Sequence, residues 1–228
     1  MTFAEILANP GVHLLLLLVS VLLLSYGANY WLSRIFAGRT YRYLIAPGVI
    51  IHEYSHAVGC VLTGARIRQI RVFDERGGAV VHEEPRFALG QGIISVAPVF
   101  GAAIAVYVLA VLLMPEFVGL RELQISSWQF LVFAYLAASI TAAMAPSKQD
   151  LKVGLGSFVA ISLVIGAVTF WPAATEWFGF LVGDTYDRVV GIVQFSLIVL
   201  ATLAIASGVT YFAMGRTVRK GATYRAFD

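Results

Sequence analysis

The sequence predicts an all-α polytopic membrane protein with about six transmembrane helices and one short β-hairpin after the second, and three observations predict it. Of 228 residues, 59% are hydrophobic and only 13% charged, about half the charged fraction of an ordinary soluble domain. The mean hydropathy is +0.82. The apolar residues gather into six stretches, each near the roughly 20 residues that cross about 30 Å of hydrocarbon. The 16 Lys+Arg and 13 Asp+Glu leave a net charge of +3, too small an excess, on too few exposed residues, to point to a nucleic-acid partner. One cysteine, Cys60, excludes an intramolecular disulfide framework.

The six spans are expected at Val12–Leu32, Leu44–Thr63, Leu89–Leu113, Trp128–Ala145, Val153–Phe170 and Val189–Met214. Nothing basic precedes the first, and it is too long for the apolar region of a signal peptide, so it is expected to remain as an anchor. Between the second and third spans, Arg66–Phe73 and Ala79–His82 are short runs rich in Val and Ile. They flank Asp74-Glu75-Arg76-Gly77-Gly78, and together read as a β-hairpin with glycines in its turn. No internal repeat, low-complexity tract or linker divides the chain, so residues 1–228 are read as one domain with a core at 44–152.

The basic residues orient the spans. Arg66, Arg68, Arg71, Arg76, Arg86, Lys148, Lys152, Arg216, Arg219, Lys220 and Arg225 fall on one side, 11 of the 16. By the positive-inside rule that side, with both termini, is cytoplasmic, and Pro172–Arg188 lies outside a cell membrane.

The chemistry concentrates in the second span, at His52-Glu53-Tyr54-Ser55-His56. Positions i and i+4 share a helix face, so both imidazoles can reach one Zn2+ while Glu53 contacts a water there. With 4 His in the chain, this pattern would arise in only about 0.2% of shuffled sequences, which makes it a strong motif. A carboxylate at helix-centre depth costs about 2.5–3.5 kcal/mol and is tolerated only with a partner or a wet cavity. Such buried polarity would also suit an interhelical hydrogen-bond cluster or a proton relay in a transporter.

A hydrolytic zinc takes three protein ligands and an open position. Cys60 lies on the face of His56, but His52 to Cys60 spans about 12 Å of helix rise, too far for three ligands at about 2 Å from one ion. Cys60 therefore reads as a packing residue, and His13 and His82 as ordinary polar histidines. Asp150 is the better third ligand. It follows a helix-breaking Pro146 and is the sole carboxylate between Glu122 and Glu176. Six-span topology also puts it at the same membrane side as the end of the second span. Its alternative role is to cap the fifth span.

These residues resemble the site-2 protease family of intramembrane zinc metalloproteases. The resemblance rests on His52-Glu53-Tyr54-Ser55-His56 in the second of six spans, the hairpin-like segment after it, Asp150 at the end of the fourth, and Ser95-Val96-Ala97-Pro98-Val99-Phe100-Gly101 in the third. It covers about residues 44–152. It implies one zinc per chain on His52, His56 and Asp150, and Glu53 as the group that activates water. It also implies a single-pass transmembrane substrate cut within the lipid bilayer. The chain departs from the family in having Leu151-Lys152 where Leu-Asp-Gly would continue, and no asparagine after Asn29. The readings from other classes are a zinc-binding membrane protein without catalysis and a proton-coupled transporter.

Overall fold

In the computed structural model the described residues are 10–36, 38–74, 77–87, 89–116, 127–147, 149–152, isolated positions between 154 and 163, and 184–213. They form α1 (Pro10–Ile35), α2 (Gly38–Thr63), β1 (Ile67–Asp74), β2 (Gly77–His82), α3 (Gly90–Leu113), α4 (Trp128–Ala143) and α5 (Asp184–Ala213). Among the described residues, four helices are long and apolar enough to span a membrane: Leu16–Ile35, Arg39–Thr63, Gly90–Leu113 and Asp187–Ala213. They coincide with the first, second, third and sixth expected spans. The fourth is the shorter α4, and the expected span at Val153–Phe170 falls almost wholly outside the described residues.

Leu23, Val61, Leu62, Leu112, Leu131 and Phe212 are exposed, a surface that water would penalise and lipid does not. Inside, Ile45, Val99, Phe133, Ile140, Phe195 and Leu200 form one buried cluster joining α2 to α5. Lipid gives helices no hydrophobic reason to associate, so close backbone approach at small residues has to do it. Gly48 in α2 shows the effect: its amide donates to Ser139 Oγ at 3.0 Å, and a Cβ there would run into the Ser139 carbonyl and the Ala143 methyl. Tyr135 OH donates to Leu44 O and His52 pairs with Ala143. As α2 is followed from 44 to 48 to 52, α4 advances from 135 to 139 to 143. The two helices are therefore parallel, and the segment after α4 emerges beside the second half of α2.

The exit from α2 is set by Gly64, whose φ of +69° favours glycine. Gly64 N donates to Val61 O and Ala65 N to Cys60 O, the paired bonds that close a helix end and reverse the chain. β1 and β2 then pair antiparallel, Ile70 opposite Val80 and Arg71 opposite Ala79. Cys60, Ala65 and Ile94 are buried together with Ile67 and Val80 against them, which pins the hairpin to α2 and α3. The turn is shorter than the sequence reading has it, since Asp74 closes β1. Gly77 and Gly78 belong to β2, with Gly77 already paired to Asp74, rather than to the turn.

Candidate metal centre

His52 and His56 lie one turn apart on α2, 8% exposed each, with ring centroids 4.9 Å apart. Each ring is fixed from behind. His52 Nδ1 donates to Ala143 O at 2.8 Å, and His56 Nδ1 donates to Ile94 O at 2.8 Å. A carbonyl can only accept, so the hydrogen of each neutral ring is on Nδ1 and the Nε2 lone pairs face inward. The two Nε2 atoms stand 3.2 Å apart.

Asp150 joins them from the turn after α4. Its Oδ2 lies 3.5 Å from His56 Nε2 and 4.0 Å from His52 Nε2. The carboxylate is held by a reciprocal cap: Ser147 N and Ser147 Oγ both donate to Oδ2, at 3.0 and 2.7 Å, while Asp150 N donates back to Ser147 Oγ at 3.1 Å. Leu151 N to Ser147 O opens the next helical turn. The cap residue is thus Ser147, with Asp150 closing the box three residues on, and capping holds the carboxylate toward the imidazoles.

Three acceptor atoms converge with no donor among them when both rings are neutral, an arrangement that a metal cation between them would satisfy. The donor set and its spacing suit zinc. Tetrahedral ligands at about 2.1 Å from zinc are separated by roughly 3.4 Å, against 3.2, 3.5 and 4.0 Å here. Among the described residues these three are the group of His, Cys, Asp or Glu able to hold a metal. Cys60 is fully buried in the small cluster under the hairpin, as the helix-rise argument requires. His82 lies at the end of β2 with Nδ1 on Glu83 O at 2.7 Å, and His13 lies in the first turns of α1; neither joins the group.

Glu53 is 7% exposed, beside the first histidine. A Cβ added to Gly78 would collide with its Cγ, Cδ and Oε1, so the backbone of β2 lies directly on the carboxylate. No sequence signal for this contact exists beyond the glycine pair itself, which fits a turn equally well. The supporting carbonyls of Ala143 and Ile94 are backbone groups, and the sequence marks the second only indirectly: Pro98, four residues on, has no N–H to bond Ile94 O within the helix. An apolar cleft of about 200 Å3 opens beside Asp150, with Val19, Leu23, Tyr26, Val99 and Gly154 in its walls.

Neither curated proteins nor solved structures yielded a match. A family model described as Peptidase M50B-like does match, over residues 15–183, a stretch that contains most of α1, all of α2 to α4, the hairpin and all four candidate site residues. It bears out the likeness to site-2 proteases. The chain belongs to the Peptidase M50B-like family.

Proposed function

We propose that the chain is an intramembrane zinc metalloprotease that hydrolyses peptide bonds within transmembrane segments of membrane-protein substrates. The observation that carries this reading is the convergence of His52 Nε2, His56 Nε2 and Asp150 Oδ2 next to a buried glutamate that takes no part in the triangle. Zinc, when bound there, supplies a Lewis acid for the scissile carbonyl and a water acidified to a pKa of about 7. The chain's residues do the rest. His52 and His56 present Nε2 because Ala143 and Ile94 hold their Nδ1 hydrogens. Glu53 accepts the proton of the attacking water and returns it to the leaving amine.

A transmembrane helix bonds its own carbonyls, so it must unwind before one is attacked. A two-stranded hairpin has an outer edge on each strand, and such an edge, for example that of Arg66–Phe73, would hold the unwound segment extended by strand addition. Packing of Ile67 and Val80 against α2 and α3 keeps that edge at the depth of Glu53.

Metal content of the detergent-purified protein tests the reading. The expected result is one zinc per chain in the wild type. Asp150→Ala and His56→Ala should each lose more affinity than the roughly 10- to 100-fold typical of removing an outer-sphere partner. Stoichiometric zinc at wild-type affinity in Asp150→Ala would move the third ligand elsewhere.

The reading includes an orientation, with both termini and the Pro146–Lys152 turn cytoplasmic. In a Cys60→Ala background, an impermeant thiol reagent applied from outside should modify Asp184→Cys and spare Ala222→Cys. The opposite pattern would invert the protein in the membrane and leave the metal site as it is.

A further inference from the structure

The metal site is assembled at the C-terminal end of α4, and that end has a chemical problem of its own. A helix leaves its last four carbonyls without partners inside the helix. With 16 residues, α4 is about 24 Å long, short of the roughly 30 Å of hydrocarbon. Its last turn is also walled off by protein, with Ala142, Ala143 and Ala145 at most 1% exposed, so protein donors have to serve its terminal carbonyls.

The donors come from one face of α1, otherwise a run of leucines and valines. Ser25 Oγ donates to Ala142 O at 2.8 Å. Asn29 Nδ2 donates to the same carbonyl and to Ser25 O at 3.1 Å. Tyr26 OH donates to Pro146 O. The Asn29 amide is oriented in turn by Tyr41 OH, which donates to its Oδ1, so the amide nitrogen is the end that faces α4. Ser25, Asn29 and Tyr41 are at most 5% exposed. Polar side chains this deep in a membrane helix are expensive and mark a role, and the catalytic reading above uses none of them.

We propose that Asn29, oriented by Tyr41, is a positioning residue for the metal ligands. Ala142 O and Ala143 O belong to consecutive peptide units, so the bond that fixes the first sets the place of the second. Ala143 O is the acceptor that orients His52. Tyr26 on Pro146 fixes the start of the turn from which Asp150 projects four residues later. One latch between α1 and α4 thus sets a histidine and the aspartate together. Ser139, on the same helix one turn earlier, makes an equally buried interhelical bond to Gly48 through its hydroxyl; the close approach of the two helices there is to the Ser139 backbone, which alanine keeps, so loss of the hydroxyl alone serves as the control.

This inference rests on the metal reading, and the experiment separates the two. Zinc affinity by chelator competition and the visible spectrum of the cobalt-substituted protein are compared for wild type, Asn29→Leu, Tyr41→Phe and Ser139→Ala. Asn29→Leu keeps size without a donor; it should weaken zinc binding about 10- to 100-fold, as loss of an outer-sphere partner does, and shift the cobalt bands. Tyr41→Phe should move both in the same direction by less, and Ser139→Ala should leave both unchanged. Should Asn29→Leu fail to fold, Tyr41→Phe decides. Wild-type affinity and bands in the folded latch variants, even with a lower melting temperature, would overturn the latch and leave the metal site standing. A wild-type chain that takes up no zinc would overturn both.

Discussion

Replacing Glu53 by glutamine is expected to abolish cleavage of a single-pass membrane substrate while fold and zinc content stay as they are. Glutamine matches glutamate in size and can still donate or accept a hydrogen bond, but it cannot take a proton from water. General-base catalysis contributes about 10²- to 10⁴-fold, so the rate should fall by at least that much. Glu53 stands outside the ligand triangle, so metal affinity has no reason to change. The side chain is 7% exposed, and removing a charge from such a place should, if anything, ease insertion into lipid. The measurement is paired: cleavage of a purified substrate in detergent or vesicles, and zinc per chain on the same preparation. Wild-type cleavage by Glu53→Gln would remove Glu53 from the general-base role, whereas no cleavage by the wild type would leave a zinc-binding or proton-relaying membrane protein. Lost cleavage together with lost zinc would make Glu53 structural rather than chemical.

What the amino-acid sequence discloses of this site depends on whether a residue acts through its side chain or its backbone. His52, Glu53 and His56 were legible because helical spacing is local: i and i+4 share a face wherever the helix goes. Asp150 lies 94 residues from His56 along the chain, and was legible only through topology, since alternating spans return the fourth to the side where the second ends. The parallel run of α2 and α4, through Gly48 on Ser139 and His52 on Ala143, is the packing that makes this true.

The carbonyls that orient the histidines are barely legible, the one signal being Pro98, which has no N–H to bond Ile94 O within its own helix. Ala143 and Ile94 act through backbone atoms that every residue possesses, and nothing in an alanine or an isoleucine marks its carbonyl as an acceptor for imidazole. The latch was half legible. Ser25, Tyr26 and Asn29 are conspicuous in an apolar helix, but their partners on α4 follow from a helix-helix approach that periodicity does not define. Capping at Asp150 was foreseen as an alternative to metal binding. Ser147 is the cap residue and Asp150 closes its box with the carboxylate still facing the imidazoles, so the two roles are compatible.

A glycine pair between two short apolar runs reads as a hairpin turn, but Gly78 lies in β2, and that leads to the second large effect. Gly78→Val is expected to depress cleavage by about 10²-fold, approaching the loss of the Glu53 base itself, with zinc retained. Valine suits a strand, so the hairpin gains rather than loses local preference. The hairpin cannot simply lift away, because Ile67 and Val80 are packed against Cys60, Ala65 and Ile94. The new methyl groups would occupy the space of the Glu53 carboxylate and its Cγ, and of the two sides it is the flexible glutamate that gives way. The metal ligands, held by Ala143, Ile94 and Ser147 on other elements, have no cause to follow. A double-mutant cycle carries the decision. If Gly78→Val acts by displacing Glu53, then adding it to Glu53→Gln should cost nothing further, because the base is already gone. Independent, multiplying losses would instead place Gly78 on the substrate path, and a wild-type rate in Gly78→Val would show that β2 has room to spare over the glutamate.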